Sequence, residues 1–218
     1  MKTAGIIPAY NAADTVGAVA KKVKDMGFFC VVIDDGSTDD TYKNAAAAGV
    51  VVLKHEKNMG KGRALRTGFE YILKNDFDAA IMMDADGQHD PESLKDFVNA
   101  AELKNSAFIV GSRMHNTKAM PKIRVMTNKF MSWILSKKMG QYVPDTQSGY
   151  RFIRKDLLAK MTLSASRYEI ESEMLIQAAR LGAHIDSVPI SSIYTGHKSH
   201  INPIVDALRF IRLMITLK

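Results

Sequence analysis

The chain has little of what several protein classes require. Its 218 residues include one cysteine, Cys30, which lies in the apolar run 28–33 and has neither a disulfide partner nor a second thiolate for a metal site. The six histidines are scattered, and none forms the i, i+4 pair that commonly holds zinc on a helix. No secretory leader precedes the first apolar run, and no stretch of about 18 apolar residues could span a bilayer. A cytoplasmic location is therefore expected, either free or held peripherally on the cytoplasmic face of a membrane.

The familiar glycine signatures of nucleotide sites are also missing. Segment 58–63 is glycine-rich and basic, but its spacing fits neither the Walker motif nor the three-glycine dinucleotide fingerprint. ATP and NAD are therefore not expected, although a helix N-terminus beside Lys61 can meet an anion. The formal net charge of +7 favours an anionic partner without choosing among nucleic acid, phosphorylated ligands and anionic lipid.

Apolar runs alternate with helical stretches over residues 3–111, in a chain whose 46% hydrophobic content is ordinary for a globular domain. Continuous apolar strands that alternate with helices predict an α/β fold, a mostly parallel Rossmann-like sheet with helices on both faces. The predicted strands are 3–7, 29–33, 50–53, 79–83 and 108–110, and the predicted helices are 14–26, 38–48, 60–74, 91–101, 122–139 and 169–181.

One domain is expected over residues 1–200, followed by an amphipathic helix over 201–218. Apolar residues recur at helical spacing in this last segment, opposite Arg209 and Arg212. The helix either packs on the domain or lies on a membrane surface. Within 122–139, the apolar side chains of Met126, Phe130, Met131 and Trp133 are interpreted as helix-face packing, with the lining of a lipid site as the alternative.

An acidic turn follows the predicted strand 79–83. Asp84 and Asp86, at alternate positions, can share a hard divalent cation with the oxygens of a diphosphate, and Gln88 can support the metal or the ligand. Mg²⁺ or Mn²⁺ is the expected cofactor. A solvated acidic turn is the simpler alternative. The turn also resembles the nucleophile loop of haloacid-dehalogenase-like phosphatases, but three strands precede it here and no adjacent acidic pair follows.

A second acidic segment follows the predicted strand 29–33. Asp35 is the candidate to accept a hydrogen bond from a nucleoside base or ribose, as carboxylates do at comparable strand ends. A capping turn with no ligand is the alternative. Ser37 or Thr38 is the predicted N-cap of the next helix, and Asp39 and Asp40 are expected in its first turn.

Two arginines and one carboxylate complete the candidates. Arg113 and Arg124 can neutralise negative charge on a leaving diphosphate or hold a phosphate acceptor. A solvated basic loop is the simpler alternative. Asp145 is the candidate base or acceptor-binding group, and a turn-forming aspartate is an equally good interpretation.

The ordered set of motifs resembles family 2 glycosyltransferases of the GT-A fold, and most closely the dolichol- or polyprenyl-phosphate mannosyl and glucosyl transferases. The resemblance covers most of residues 3–200. The matching motifs are Pro8-Ala9-Tyr10-Asn11, Asp34-Asp35-Gly36-Ser37, Asn58-x-Gly60-x-Gly62, Asp84-Ala85-Asp86-Gly87-Gln88 and Ser148-Gly149-Tyr150-Arg151.

The resemblance implies an inverting transfer of a sugar from a UDP- or GDP-sugar to a polyprenyl or dolichyl phosphate at a membrane surface, with no nucleic-acid partner. An acceptor that is already an anion needs no strong base, so Asp145 would help without being essential. By resemblance the catalytic group comprises Asp145, Arg113 and Arg124, the metal group Asp84, Asp86 and Gln88, and the nucleotide-sugar group Pro8, Tyr10, Asn11, Asp35, Lys61, Asp84, Ala85, Asp86, Gln88 and Lys198.

Two departures and three alternatives remain. Ala12 stands where the family often has an acidic residue, and Lys198 lies in a segment that matches the family's basic phosphate-binding segment only loosely. A saccharide acceptor in polysaccharide synthesis is one alternative function. A nucleotidyltransferase is another, although it would need a basic glycine-rich motif where Pro8 to Asn11 stand. The last is a basic module that binds lipid or nucleic acid through an inactive site.

Overall fold

Seven strands form one mixed sheet in the computed structural model, which describes residues 1–118 and 120–191. The order across the sheet is β3-β2-β1-β4-β6-β5-β7. All five predicted strands are confirmed, with ends shifted by up to two residues. The strands are β1 Thr3–Ala9, β2 Phe29–Asp34, β3 Val51–Lys54, β4 Ala79–Met82, β5 Phe108–Ser112, β6 Arg151–Arg154 and β7 Ile185–Pro189.

The predicted helices are also found within the described ranges, and most are shorter than expected. Segment 91–101 differs most, because Pro91–Ser93 is a 3-10 turn and the α-helix begins only at Leu94. The helices are α1 Val16–Asp25, α2 Thr41–Ala47, α3 Lys61–Lys74, α4 Leu94–Lys104, α5 Lys122–Met139, α6 Lys155–Leu158 and α7 Glu169–Arg180.

Strand β6 is the feature that places the site. It runs antiparallel between β4 and β5, so it begins where they end, and Arg151 pairs with both Met82 and Val110. The other strand pairs in the sheet are parallel. The loop before β6 therefore meets the residues that follow β4 and β5 at one edge of the sheet. Neither β6 nor β7 is predicted from the sequence. Strand β6 has only four residues, with an arginine at each end, and so has no apolar run that would indicate a strand.

Apolar side chains fill both faces of the sheet. Helices α3 and α7 cover one face around Ile6 and Ile33, whereas α1 and α4 cover the other around Ile7 and Ile81. Cys30 lies in the second core as predicted, and burial raises its pKa to about 12.

Helix α5 packs beside α7 but not through most of the residues expected. Met131 packs against the buried Leu135, as expected. Met126, Phe130 and Trp133 are exposed, so their interpretation as packing residues is wrong. Across 1–118 and 120–191, no helix combines the length and hydropathy of a membrane span. The predicted helix 201–218 and the predicted boundary at residue 200 lie outside the described residues.

Candidate active site

An aspartate of the acidic turn after β4 forms an ion pair with a lysine. Asp84 Oδ1 lies 2.5 Å from Nζ of Lys61, the first residue of α3, and the same ammonium donates to Glu171 Oε1 at 2.7 Å. Glu171 stands in the first turn of α7. The three side chains, which we call the lysine cluster, are 17%, 30% and 15% exposed for Lys61, Asp84 and Glu171. Three segments that are distant in sequence therefore meet in one ionic contact.

Charge dominates the titration of the lysine cluster. Burial acts to lower the pKa of Lys61, but the carboxylates of Asp84 and Glu171 outweigh it and hold that pKa above its ordinary value. Burial likewise acts to raise the pKa of Asp84, but the attraction of Lys61 leads the opposing effects that lower it to about 2. Both groups are therefore charged at neutral pH.

A narrow cleft runs beside the lysine cluster. Pro8 and Gly149 line it together with the three cluster residues and Arg151. A Cβ atom on Gly149 would lie 3.0 Å from both Asp84 Oδ2 and Glu171 Oε1 and 3.2 Å from Lys61 Nζ. Glycine at this position therefore lets the backbone of the loop before β6 approach the ionic groups closely.

The rest of the acidic turn is held by its own backbone. Asp86 Oδ1 accepts from the N–H of Gln88 at 2.9 Å, and both residues are partly exposed. The N–H of Asp84 donates to Nδ1 of His89, a buried ring that stacks 4.9 Å from Tyr150. Burial lowers the pKa of His89, which agrees with an unprotonated, accepting Nδ1. His89 thus supports the turn from beneath. Ala85, also a predicted donor-binding residue, is 6% exposed, and its side chain packs in the apolar core.

The residues of the turn fit a divalent cation that arrives with a diphosphate. In the described part of the chain, no three His, Cys, Asp or Glu side chains form a ready-made metal cage. Magnesium, however, is commonly bound through one or two carboxylates and completed by substrate phosphates and water. Asp84 and Asp86 are such a pair, and the ammonium of Lys61 already satisfies Asp84 with positive charge. Asp84 is therefore held in an ion pair and is not simply solvated, and the two carboxylates have the oxygen ligands that such a cation uses.

A second ion pair lies next to β5 and is built differently. The Arg113 guanidinium donates from Nε and from Nη2 to the two oxygens of Asp145, at 2.7 and 2.9 Å, and the Arg113 N–H donates to the same carboxylate at 3.1 Å. Asp145 has no exposed surface, and Arg113 is 11% exposed. Because both oxygens are paired, the geometry favours Asp145 as the group that orients Arg113 over the predicted role of base.

Arg151 fixes the loop between these two ion pairs. It is 1% exposed and donates to the carbonyl oxygens of Thr146 and Ser148, both at 2.8 Å, and also to that of Glu171. Burial lowers the pKa of Arg151. One guanidinium therefore ties the loop before β6 to the start of α7, which carries Glu171.

The predicted nucleoside residues lie at the ends of β1 and β2. Tyr10 is 46% exposed, and Asn11 is exposed with a left-handed φ of 49°. Asn11 Oδ1 accepts from the N–H of Thr38 and its own N–H donates to Ser37 Oγ. Ser37 and Thr38 thus hold the loop after β1, and their prediction as the N-cap of α2 is wrong.

The start of α2 differs from the prediction because the helix begins only at Thr41. Asp39 and Asp40 precede the first turn instead of forming it. Asp39 accepts hydrogen bonds from the N–H groups of Thr41 and Ala13. Its carboxylate therefore joins the N-terminus of α2 to the loop after β1.

Asp35 is placed at the predicted strand end but is 2% exposed. Its carboxylate accepts from the N–H groups of Met59 and Gly60 at 3.0 and 2.8 Å, and from Nδ1 of His55 at 2.7 Å. Gly60 is the residue before Lys61. The carboxylate therefore holds the N-terminus of α3, and with it the lysine cluster.

The remaining predictions divide between described and undescribed residues. Arg124 is partly buried in the first turn of α5, and Lys198 lies outside the described residues. Sequence reasoning missed Glu171, and its one signal was a position among the acidic residues that begin α7. It also missed His55 and His89, which it treated as scattered histidines.

Comparison with known proteins agrees with this geometry. The family described as glycosyl transferase family 2 matches residues 6–162. The UDP-N-acetylglucosamine–dolichyl-phosphate N-acetylglucosaminyltransferase of Methanococcus voltae is 34% identical, over 87% of this chain and 85% of that protein. The undecaprenyl-phosphate mannosyltransferase of Micrococcus luteus is 30% identical, over 88% of this chain and 84% of that protein.

A solved structure shows the same architecture. Glucosyl-3-phosphoglycerate synthase of Mycobacterium tuberculosis, crystallised with Mn²⁺, UDP-glucose and phosphoglyceric acid, superposes with a TM-score of 0.78 at 20% identity. The match covers 99% of this chain and 79% of that protein. The GT-A type of fold expected from the motifs is therefore confirmed.

Proposed function

The chain belongs to glycosyl transferase family 2, and from that premise we propose that it transfers a sugar from a nucleotide-sugar donor to a polyprenyl-phosphate acceptor, with inversion at the anomeric carbon. Two relatives named for dolichyl or undecaprenyl phosphate align over most of their lengths and support this acceptor. The observation that carries the proposal is the meeting at one sheet edge of the acidic turn after β4 and an oriented arginine after β5.

The donor is proposed to bind across the ends of β1, β2 and β4. Tyr10 offers an exposed ring at the end of β1, which suits the nucleoside side of the donor, and Pro8 lies two residues before it on that strand. Asp35 supports the nucleoside side of the site indirectly, because its carboxylate accepts a hydrogen bond from the N–H of Gly60. A bound Mg²⁺ or Mn²⁺, held by Asp84 and Asp86, would supply positive charge to the donor diphosphate.

Arg113 is proposed to meet the phosphates. Its guanidinium is fixed in direction by Asp145, so it is ready to stabilise negative charge on the leaving diphosphate or the acceptor phosphate without reorganisation. An acceptor phosphate is already an anion, and its oxygen can attack the anomeric carbon without a strong base. This is consistent with an Asp145 whose two oxygens are both occupied.

A groove gives the acceptor a route to Arg113. It has a volume of about 580 Å³ and lies between α5 and the segment 140–144. Its lining includes Trp133, Tyr142 and Met114, the last of which is the chain neighbour of Arg113. The lining is largely apolar, as an isoprenoid chain requires, and the groove therefore favours a lipid-linked acceptor.

The test is a transfer assay with UDP- and GDP-sugars, a short-chain polyprenyl phosphate, and Mg²⁺ or Mn²⁺ against EDTA. We expect transfer that depends on the cation, with inversion read from the proton coupling at the anomeric carbon of the product. Asp86→Ala should lower kcat about a hundredfold or more without lowering Tm. Transfer to saccharides alone would contradict the lipid acceptor, and consumption of no activated sugar would contradict the whole proposal.

A further inference from the structure

Helix α5 has an apolar stripe on its exposed side. The side that faces the protein carries Ser132 and Ser136, whose hydroxyls accept from the backbone N–H groups of Thr146 and Val143 at 2.9 and 3.0 Å. The opposite side of the helix exposes four large apolar side chains to solvent. They are Ile123 at 72%, Met126 at 68%, Phe130 at 60% and Trp133 at 54%. A helix in water normally buries its apolar side, so this one is suited to an apolar environment outside the protein.

The four exposed side chains form one continuous stripe. Their spacing of three, four and three residues places them on the same face of the helix. The rings of Phe130 and Trp133 lie 6.2 Å apart, and the Lys137 ammonium stands 4.8 Å from the Trp133 ring. An aromatic ring beside a lysine is typical of helices at a membrane interface, where the ring enters the headgroup region and the cation reaches the phosphates.

The helix that carries this stripe lies in a basic part of the sequence. Residues 103–144 contain eight Lys and Arg residues and no Asp or Glu. The chain as a whole has 30 basic and 23 acidic residues, so the remainder, with 22 and 23, is close to neutral. Five of the eight cations lie on α5 itself, three of them at Lys122, Lys129 and Lys137. Helix α5, which carries the apolar stripe, is therefore strongly basic and has no acidic residue.

We propose that α5 lies flat on an anionic bilayer surface, with the stripe in the headgroup region and the flanking lysines against lipid phosphates. A second copy of the chain is disfavoured, because it would bring two sets of like charges together. This inference deepens the proposed function, on which it rests for its purpose, since the same surface would bring a lipid-linked acceptor to the groove beside Trp133.

The only tryptophan of the chain is Trp133, so its fluorescence reports on α5 alone. The full chain would be titrated with vesicles of phosphatidylcholine, with or without phosphatidylglycerol. We expect a blue shift of the emission, and quenching by brominated acyl chains, only with the anionic vesicles. Phe130→Glu should weaken vesicle partitioning at least about tenfold, and the pair Lys122→Gln with Lys129→Gln about tenfold.

A matched control is available at the end of α4. Leu103 is 87% exposed, and Leu103→Glu makes a comparable exchange of apolar for acidic away from the stripe. It should leave partitioning unchanged, and far-ultraviolet circular dichroism and Tm should match among all variants. Binding lost equally in the control would contradict the proposal.

Three further results would overturn the proposal. The first is equal binding to neutral vesicles. The second is an emission already blue-shifted and shielded without lipid, which would mean that another part of the chain or a second copy covers the stripe. The third is vesicle binding that leaves Trp133 unchanged. Failure of the transfer assay with intact vesicle binding would instead remove the proposed function and leave this surface standing.

Discussion

Two ionic contacts lie at the same edge of the sheet and differ in construction. In the lysine cluster, one ammonium bridges Asp84 and Glu171, and all three side chains retain some exposure. In the pair formed by Arg113 and Asp145, a guanidinium grips both oxygens of a carboxylate that has no exposed surface.

The difference lies in how each cation can be replaced. Lysine is a mobile point charge on a flexible stem, so a metal ion can compete for the carboxylates it neutralises. Arginine offers a planar fork whose two parallel hydrogen bonds fix an orientation. The lysine cluster is therefore suited to exchange one cation for another, whereas the arginine pair is suited to hold a guanidinium still.

The largest expected effect comes from breaking the arginine pair. Asp145→Asn removes the negative charge beside the Arg113 guanidinium in a buried site and should cost about 3 kcal/mol of unfolding free energy, measured by urea denaturation. Asp25→Asn, which breaks the exposed pair with Lys21, is the control and should cost about 0.5 kcal/mol or less. Equal losses in the two variants would remove the distinction between a buried and a surface pair.

Replacing the lysine should give a smaller effect that metal reverses. Without cation, Lys61→Met leaves Asp84 beside Glu171 and should cost about 2 kcal/mol. Adding Mn²⁺ should recover much of this loss, and the affinity for Mn²⁺, measured by electron paramagnetic resonance, should rise several-fold because a competing charge is gone. Recovery of Asp145→Asn by Mn²⁺ to the same degree would contradict the contrast between the clusters.

Sheet topology accounts for the part of the candidate site that could be predicted from the sequence. Asp84, Asp86 and Arg113 follow apolar strands of a mostly parallel sheet, so their meeting at one edge follows from topology. Glu171 is 110 residues from Lys61, and its contact depends on how α7 docks, for which the sequence has no local pattern.

Strand β6 shows more clearly what could not be predicted from the sequence. Its four residues begin and end with arginine, and Arg151 is buried because it bonds to three backbone carbonyl oxygens. Sequence periodicity predicts that a segment bounded by arginines is exposed. It does not reveal the backbone carbonyl oxygens that allow the Arg151 guanidinium to be buried. The pairing of Asp145 with Arg113 is hidden for the same reason, although both were named individually.

Acid should weaken the lysine cluster in a defined window. The pKa of Asp84 is lowered to about 2, below its unfolded value of about 3.9, so its ion pair adds stability above the unfolded pKa and loses it as pH falls through the folded one. With EDTA present, the wild-type advantage over Lys61→Met should shrink by about 1 kcal/mol between pH 5 and pH 2, since partial exposure discounts the full shift. Urea denaturation at stepped pH measures it, and a constant difference would contradict the assignment.

The smallest change tests whether close backbone approach matters to the lysine cluster. Gly149→Ala would place a methyl group 3.0 Å from Asp84 Oδ2 and Glu171 Oε1. These are side-chain ends that can yield, so the loss of stability should be only about 0.5 kcal/mol. The displaced carboxylate should nevertheless lower Mn²⁺ affinity several-fold. Gly5→Ala is the matched control, because its methyl would meet Val23 Cγ1 at 3.1 Å in the apolar core. That variant should cost stability without changing Mn²⁺ affinity, and a metal affinity equal in both variants would mean that the loop before β6 does not shape the proposed cation site.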